Sequence, residues 1–211
     1  MYISRYMIRE PLTATSEMSL PEARSLLNEN HFRHLPVVDK QGQLVGMITD
    51  RDLRSAFPSS MLTESERLLA YERVEKATVA DIMSTECVCL TLESTLDDAL
   101  LLFNREGVGA LPVLEDGRLV GIFSSGDLLA AYKELFGVGE KGSVLLGIKD
   151  DGQSSLMTRI VTLLEQHNIP FTRLLRIHDE ERGNRIFLRL NTYKIASVVN
   201  LLREAGIHPA L

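Results

Sequence analysis

One phrase is written twice in this chain. "HLPVVDKQGQLVGMITDRDL" at 34–53 returns as "ALPVLEDGRLVGIFSSGDL" at 110–128. The match extends upstream: Met7 with Met83, Thr15 with Thr91, Leu20 with Leu96, Ala23 with Ala99 and Pro36 with Pro112 all stand 76 positions apart. The second turn is one residue shorter, so Gly46 meets Gly121 and Asp52 meets Asp127 at a separation of 75. Two copies of about 50 residues describe a paired module, since solenoids need three or more repeats.

Each copy spells the same elements. "SLPEARSLLNEN" begins with Ser19 and Glu22 spaced as a capping box with Pro21 in the first turn, and "TLDDALLLFNRE" repeats this with Thr95 and Asp98. Leu20, Ala23, Leu26 and Leu27 fall on one helical face, as do Leu96, Ala99, Leu100 and Phe103. Two short β-rich runs follow, joined at Gly42 in one copy and at Asp116-Gly117, a strong hairpin signal, in the other. A second helix is predicted to start near Asp52 and Asp127. Neither copy has enough apolar residues for its own core, so the two are expected to share one. The charged stretch 58–77 reads as a helical connector with Leu62, Leu68, Leu69 and Tyr71 to pack.

After Phe136, "GVGEKG" marks a boundary, and residues 142–211 change pattern. Val144, Leu146 and Ile148 alternate in a predicted strand. Leu156, Ile160, Leu163 and Leu164 make an amphipathic helix. "IPFTRLLRIHD" and "NRIFLRLN" form a hairpin turning at Arg182-Gly183-Asn184, and a second helix ends at Gly206 before "IHPAL". The order βαββαβ is a ferredoxin-like arrangement. The fold class is therefore α/β (α+β), with domains at 1–57, 78–136 and 142–211 around the 58–77 connector.

The net charge of −6 and pI near 5.4 argue against sequence-independent nucleic-acid binding, which needs a basic face. No apolar run approaches a membrane span, and "MYISRYMIREPL" lacks a signal-peptide core, so a cytoplasmic protein is expected. Cys87 and Cys89, two apart on one predicted strand, point the same way and read as reduced packing residues rather than a disulfide or zinc pair. His31, His34, His167, His178 and His208 are scattered, and no H-E-x-x-H, G-x-S-x-G or phosphate-loop element occurs, so no catalyst is expected. His178, Asp179, Glu180 and Glu181 form a contiguous hydrophilic turn, which seldom converges on a metal, and no metal is expected.

Thr49 with Asp52 and Ser124 with Asp127 place a hydroxyl and a carboxylate at a strand-to-helix junction twice over. Free N–H groups there suit a phosphate, and a carboxylate one turn in can accept from a ribose diol. The same spacing is also a capping box that needs no ligand.

"LPVVD…LVGMITDRDL" with its degenerate copy resembles a tandem CBS-domain pair, the adenosine-sensing Bateman module, over residues 1 to about 136. The tail resembles an ACT domain, and the combination, with "RHLPVVD" and "GMITDRDL", looks like the acetoin utilization protein B family. The resemblance implies that Thr49, Asp52, Ser124 and Asp127 hold ribose and phosphate in clefts built from both copies. It groups Thr49 and Asp52 with Val88, Val108, Gly109 and Ala110, and with Arg51 as a further cation. It groups Ser124 and Asp127 with Leu12, Phe32, Arg33 and His34, which would give the Asp127 cleft the more highly phosphorylated ligand. AMP, ADP or ATP is the implied ligand, with NAD and S-adenosylmethionine as other candidates. "KDDGQSSL" offers Asp150, Asp151 and Gly152 but lacks the proline of ligand-binding ACT loops, so a structural or dimer-forming tail is expected. The implied function is a non-enzymatic regulatory sensor, a homodimer through the CBS pair or the ACT domain. The alternatives are a scaffold with empty clefts and an enzyme acting on a nucleotide.

Overall fold

The computed structural model describes residues 1–178 and 183–210. The chain forms two compact units, Met1–Ala131 and Tyr132–Leu211.

In the first unit β1 (Ile8–Arg9), α1 (Leu20–Asn30), β2 (His34–Val38), β3 (Leu44–Thr49) and α2 (Asp50–Ala56) make copy one. After α3 (Glu64–Lys76), copy two follows as β4 (Leu90–Thr91), α4 (Leu96–Glu106), β5 (Ala110–Glu115), β6 (Arg118–Ser124) and α5 (Ser125–Phe136). The copies are interlaced. β1, the lead of copy one, pairs with β6 of copy two through Ile8 and Ile122, giving the sheet order β1-β6-β5-β4. Ser84, the matching lead of copy two, pairs with Met47 on β3, while Ala14 pairs with Val37 on β2. The loop bonds obey the same symmetry. Ile3 N donates to Ser94 O at 2.9 Å and Val79 N to Met18 O at 2.8 Å; Leu96 N donates to Met1 O at 3.0 Å and Leu20 N to Ala77 O at 3.2 Å.

This interlacing explains the repeated glycine. A Cβ on Gly46 would lie 2.8 Å from Met83 Sδ and 2.9 Å from the Ser84 carbonyl oxygen. On Gly121 it would lie 2.8 Å from Met7 Sδ and 3.0 Å from the Ile8 carbonyl oxygen. Each glycine admits the strand lent by the other copy. Leu20, Ala23, Leu27, Leu35, Val37, Ile48 and Leu53 pack as the core of copy one, and their counterparts Leu96, Ala99, Phe103, Leu111, Val113, Phe123 and Leu128 are likewise buried. Met47, Ala110 and Ile122 pack together where the copies meet.

Some local expectations need correction. The second helices start at Asp50 and Ser125, two residues earlier than predicted, because Thr49 and Ser124 are the capping residues. Leu100 is exposed: Leu96, Ala99 and Phe103 already fill the buried stripe, and Leu100 falls on its edge. α3 does not pack through Leu68, Leu69 or Tyr71, which are exposed; it lies on the surface and anchors by Val74. Cys87 and Cys89 are on an extended segment outside any strand, both free. Burial raises both thiol pKa values, that of Cys89 to about 11, which keeps them protonated.

The second unit contains β7 (Ser143–Lys149), α6 (Leu156–Gln166), β8 (Phe171–Ile177), β9 (Arg185–Asn191), α7 (Ile195–Glu204) and β10 (Pro209–Ala210). The sheet order β10-β7-β9-β8 is ferredoxin-like, with every pair antiparallel. Leu146, Ile148, Ile186, Leu188 and Leu190 alternate onto the face covered by Ile160, Leu164, Val198 and Leu202. Arg182 of the predicted turn and Asp179, Glu180 and Glu181 of the acidic run lie outside the described residues.

The acidic loop after β7 is already engaged. The Asp150 carboxylate is fully buried and takes Arg176 Nε at 2.6 Å and Nη2 at 2.9 Å, while Oδ1 also accepts from Gly152 N at 3.0 Å. Arg176 beside it holds the carboxyl below its usual range. A depressed folded-state pKa stabilises above the unfolded value, about 3.9, and the contribution fades as pH falls through the folded value. Asp150→Asn is therefore expected to lower the melting temperature by several degrees at pH 7 and by progressively less below about pH 4. A gap independent of pH, measured by calorimetry across that range, would remove the ion pair as the cause.

Candidate functional site

Strand β3 ends at Thr49 and α2 begins at the next residue, so the junction carries its own cap. Asp52 Oδ2 accepts from Thr49 N at 2.8 Å and from Thr49 Oγ1 at 2.6 Å, and the hydroxyl accepts from Asp52 N at 3.3 Å. Ser124 and Asp127 repeat this at 2.8, 2.6 and 3.2 Å. The capping box is thus formed in both copies. Both bonds that the carboxylate accepts fall on Oδ2, and Oδ1 of each half-buried aspartate takes no hydrogen bond among the described residues. Capping and a ligand contact are therefore compatible in one side chain.

A cavity of about 870 Å³ opens beside Asp52. Copy one contributes Arg33, His34, Thr49, Asp50, Arg51 and Asp52 to its wall, and copy two contributes Val88, Val108, Gly109 and Ala110. Main-chain bonds hold both copies' junctions alike: Asp50 N donates to Arg33 O and Ser125 N to Gly109 O, each at 3.0 Å. Among the described residues, neither Arg33 nor Arg51 makes an ion pair, whereas Arg54 is held by Asp50 at 2.8 Å. Two free guanidinium groups on a cavity wall suit phosphate or carboxylate oxygens. Val88 and Val108, with the small residues Gly109 and Ala110, are the apolar part of what copy two contributes, beside its Glu86 and Glu106.

The CBS resemblance implies Arg33 and His34 for the Asp127 cleft; in the structure both line the Asp52 cavity. Register explains their actual place. His34 opens β2 directly opposite Thr49, and its ring lies over Gly109, where a Cβ would come within 2.8 Å of it. Burial lowers the His34 pKa, Arg33 lowers it further, and Asp50 and Asp52 oppose both. The net direction leaves the imidazole neutral at pH 7, as hydrogen-bond donor or acceptor. Leu12, Phe32, Ser124 and Asp127 lie outside this cavity's wall.

Glu86, Cys87 and Glu106 also line the cavity and were not legible. Their only signal is position: the first two precede Val88 and the third ends the helix before Val108. Among the described residues no cluster of His, Cys, Asp and Glu could hold a metal ion, and no helix is long and apolar enough to cross a membrane.

The family model of the CBS domain matches residues 3–59 and 79–134, more than half of the chain. The chain belongs to the CBS-domain family. Its CBS pair is similar to a CBS domain-containing protein of Dictyostelium discoideum, 37% identical over 131 residues, which are 60% of this chain and 88% of that one. A CBS domain pair solved with 5′-methylthioadenosine and S-adenosyl-L-methionine is 27% identical, with a TM-score of 0.53 over 64% of this chain and 98% of that one. An Arabidopsis thaliana CBS-pair protein solved with AMP is 25% identical, with a TM-score of 0.54 over 64% and 98%.

Proposed function

We propose that the chain is a regulatory sensor that binds an adenosine nucleotide in the Asp52 cavity and does no chemistry on it. The observation that carries this is the composite wall around about 870 Å³: Asp52 with a free oxygen, Arg33 and Arg51 without an ion pair among the described residues, and the apolar Val88 and Val108, drawn from both copies, with Glu86 and Glu106 also on the lining. In this reading Asp52 Oδ1 accepts from the ribose hydroxyls, Arg33 and Arg51 meet phosphate, and the base lies along Val88 and Val108. Because the wall is shared, a ligand that binds one arrangement of the copies better than another shifts their equilibrium. The complexes of similar CBS pairs with AMP, S-adenosylmethionine and methylthioadenosine support the ligand class.

AMP at a hundredfold excess over its Kd is expected to stabilise the protein by about 2.7 kcal/mol, read as a rise in melting temperature. No rise with AMP, ADP, ATP, NAD or S-adenosylmethionine would leave the second reading, an interaction scaffold, which the complete capping boxes favour. Product formed after long incubation with any of these would point instead to an enzyme. The same proposal makes the second unit an ACT-like domain, supported by its topology, and the chain a homodimer, to be checked by mass in solution. A link to acetoin utilization belongs to it as well; unchanged growth on acetoin of a strain lacking the chain would remove that link.

A further inference from the structure

One group on the Asp52 cavity wall can change its charge near neutral pH, and it is uncommitted. His34 is half-buried and its ring reaches across to copy two, where a Cβ on Gly109 would lie 2.8 Å from Cε1 and 2.9 Å from Nε2. Among the described residues neither ring nitrogen makes a hydrogen bond or an ion pair, and neither is sealed from solvent. Charges of both signs surround it. Asp50 and Asp52 face it from α2, and Arg33 from the turn into β2. Copy one also lends the wall Arg51 and Arg54, the latter held by Asp50. Copy two adds Glu86, Glu106 and the Cys87 thiol, which burial keeps protonated.

We infer that a phosphorylated ligand enters this cavity together with a proton, taken from solvent onto the imidazole of His34. This rests on the proposed reading of the cavity as an adenosine-nucleotide site. In the free protein burial disfavours the cationic ring and Arg33 adds to that, outweighing Asp50 and Asp52. A phosphate seated at Arg33 and Arg51 reverses the balance, because it neutralises Arg33 and brings its own negative charge beside the ring. The protonated ring then donates from both nitrogens, where the neutral ring donates from one. Since the bound state holds the proton more firmly, affinity rises as pH falls through the His34 range and levels off well above it. A ligand without phosphate leaves the ring neutral. Acidification and a phosphorylated nucleotide are thereby read as one signal.

Calorimetry of the full chain with AMP, run near pH 6.5 in two buffers of different ionisation heat, counts the protons taken up per ligand. The parent is expected to take up a measurable fraction of a proton more than His34→Gln, which keeps a polar side chain without the charge. Titration of the AMP phosphate itself is common to both proteins and cancels. Adenosine is expected to show no such difference. Between about pH 8 and about pH 6 the AMP affinity of the parent, relative to the variant, is expected to rise roughly threefold or more. The His34 ring resonance, followed by NMR in the parent, is expected to titrate at higher pH with AMP than without, a readout that needs no variant. Equal proton uptake in parent and variant, an unmoved His34 titration, or the same uptake with adenosine as with AMP overturns the inference and leaves the reading of the cavity standing. Failure of AMP to bind the parent removes both.

Discussion

Asp52→Ala is expected to weaken AMP binding by roughly 10- to 100-fold, because a hydrogen bond to a charged group contributes about 1.5–3 kcal/mol. The same substitution removes the acceptor of the Thr49 main-chain and hydroxyl bonds, 2.8 and 2.6 Å long, and so opens the cap of α2. Loss of a cap costs about 1 kcal/mol. The two effects separate in Asp52→Asn. Its amide oxygen can still accept from Thr49 N, so stability is expected to return, while the charge that grips the ribose does not. Calorimetry with AMP and thermal melts of both variants are the measurements. Full affinity in Asp52→Ala, with only the stability loss remaining, would reduce the aspartate to a cap.

Phe123→Ala is expected to cost about 3–5 kcal/mol, the usual range for a buried phenylalanine. Its ring is wholly buried and stacked on Phe103 with centroids 6.2 Å apart. The neighbouring Ile122 pairs with Ile8, the lead strand of copy one, so the damage is not confined to copy two. A single unfolding transition at lower temperature is expected, with amide exchange rising equally at Ile122 and at Met47, which carries the reciprocal bond to Ser84. Retained protection at Met47 while Ile122 exchanges freely would show that each copy folds by itself.

Much of this fold was legible because its signals are local. The capping boxes at Thr95 and Thr49, the Asp116-Gly117 turn and the period-two pattern of Leu146 and Ile148 each depend on residues a few positions apart. Half of the Ser19 box formed: Ser19 accepts from Glu22 N at 3.3 Å, and no reciprocal bond closes it. What failed depended on distant neighbours. Nothing in "ERLLAYERVEK" distinguishes Val74, which meets the core, from Leu68 and Leu69, which do not. Nor does "KDDGQ" reveal that Arg176, 26 positions later, occupies Asp150.

The sequence alone determined that there are two matched modules, the elements of each and the ferredoxin-like order of the tail, since duplication and short-range periodicity are written along the chain. It also marked Thr49, Asp52, Ser124 and Asp127. Only the tertiary structure decided which copy lends a strand to which, that Arg33 and His34 stand with Asp52, and that Oδ1 of each aspartate stays free. Those outcomes depend on register and side-chain direction across segments about 76 residues apart, where steric fit around Gly46, Gly109 and Gly121 selects the arrangement.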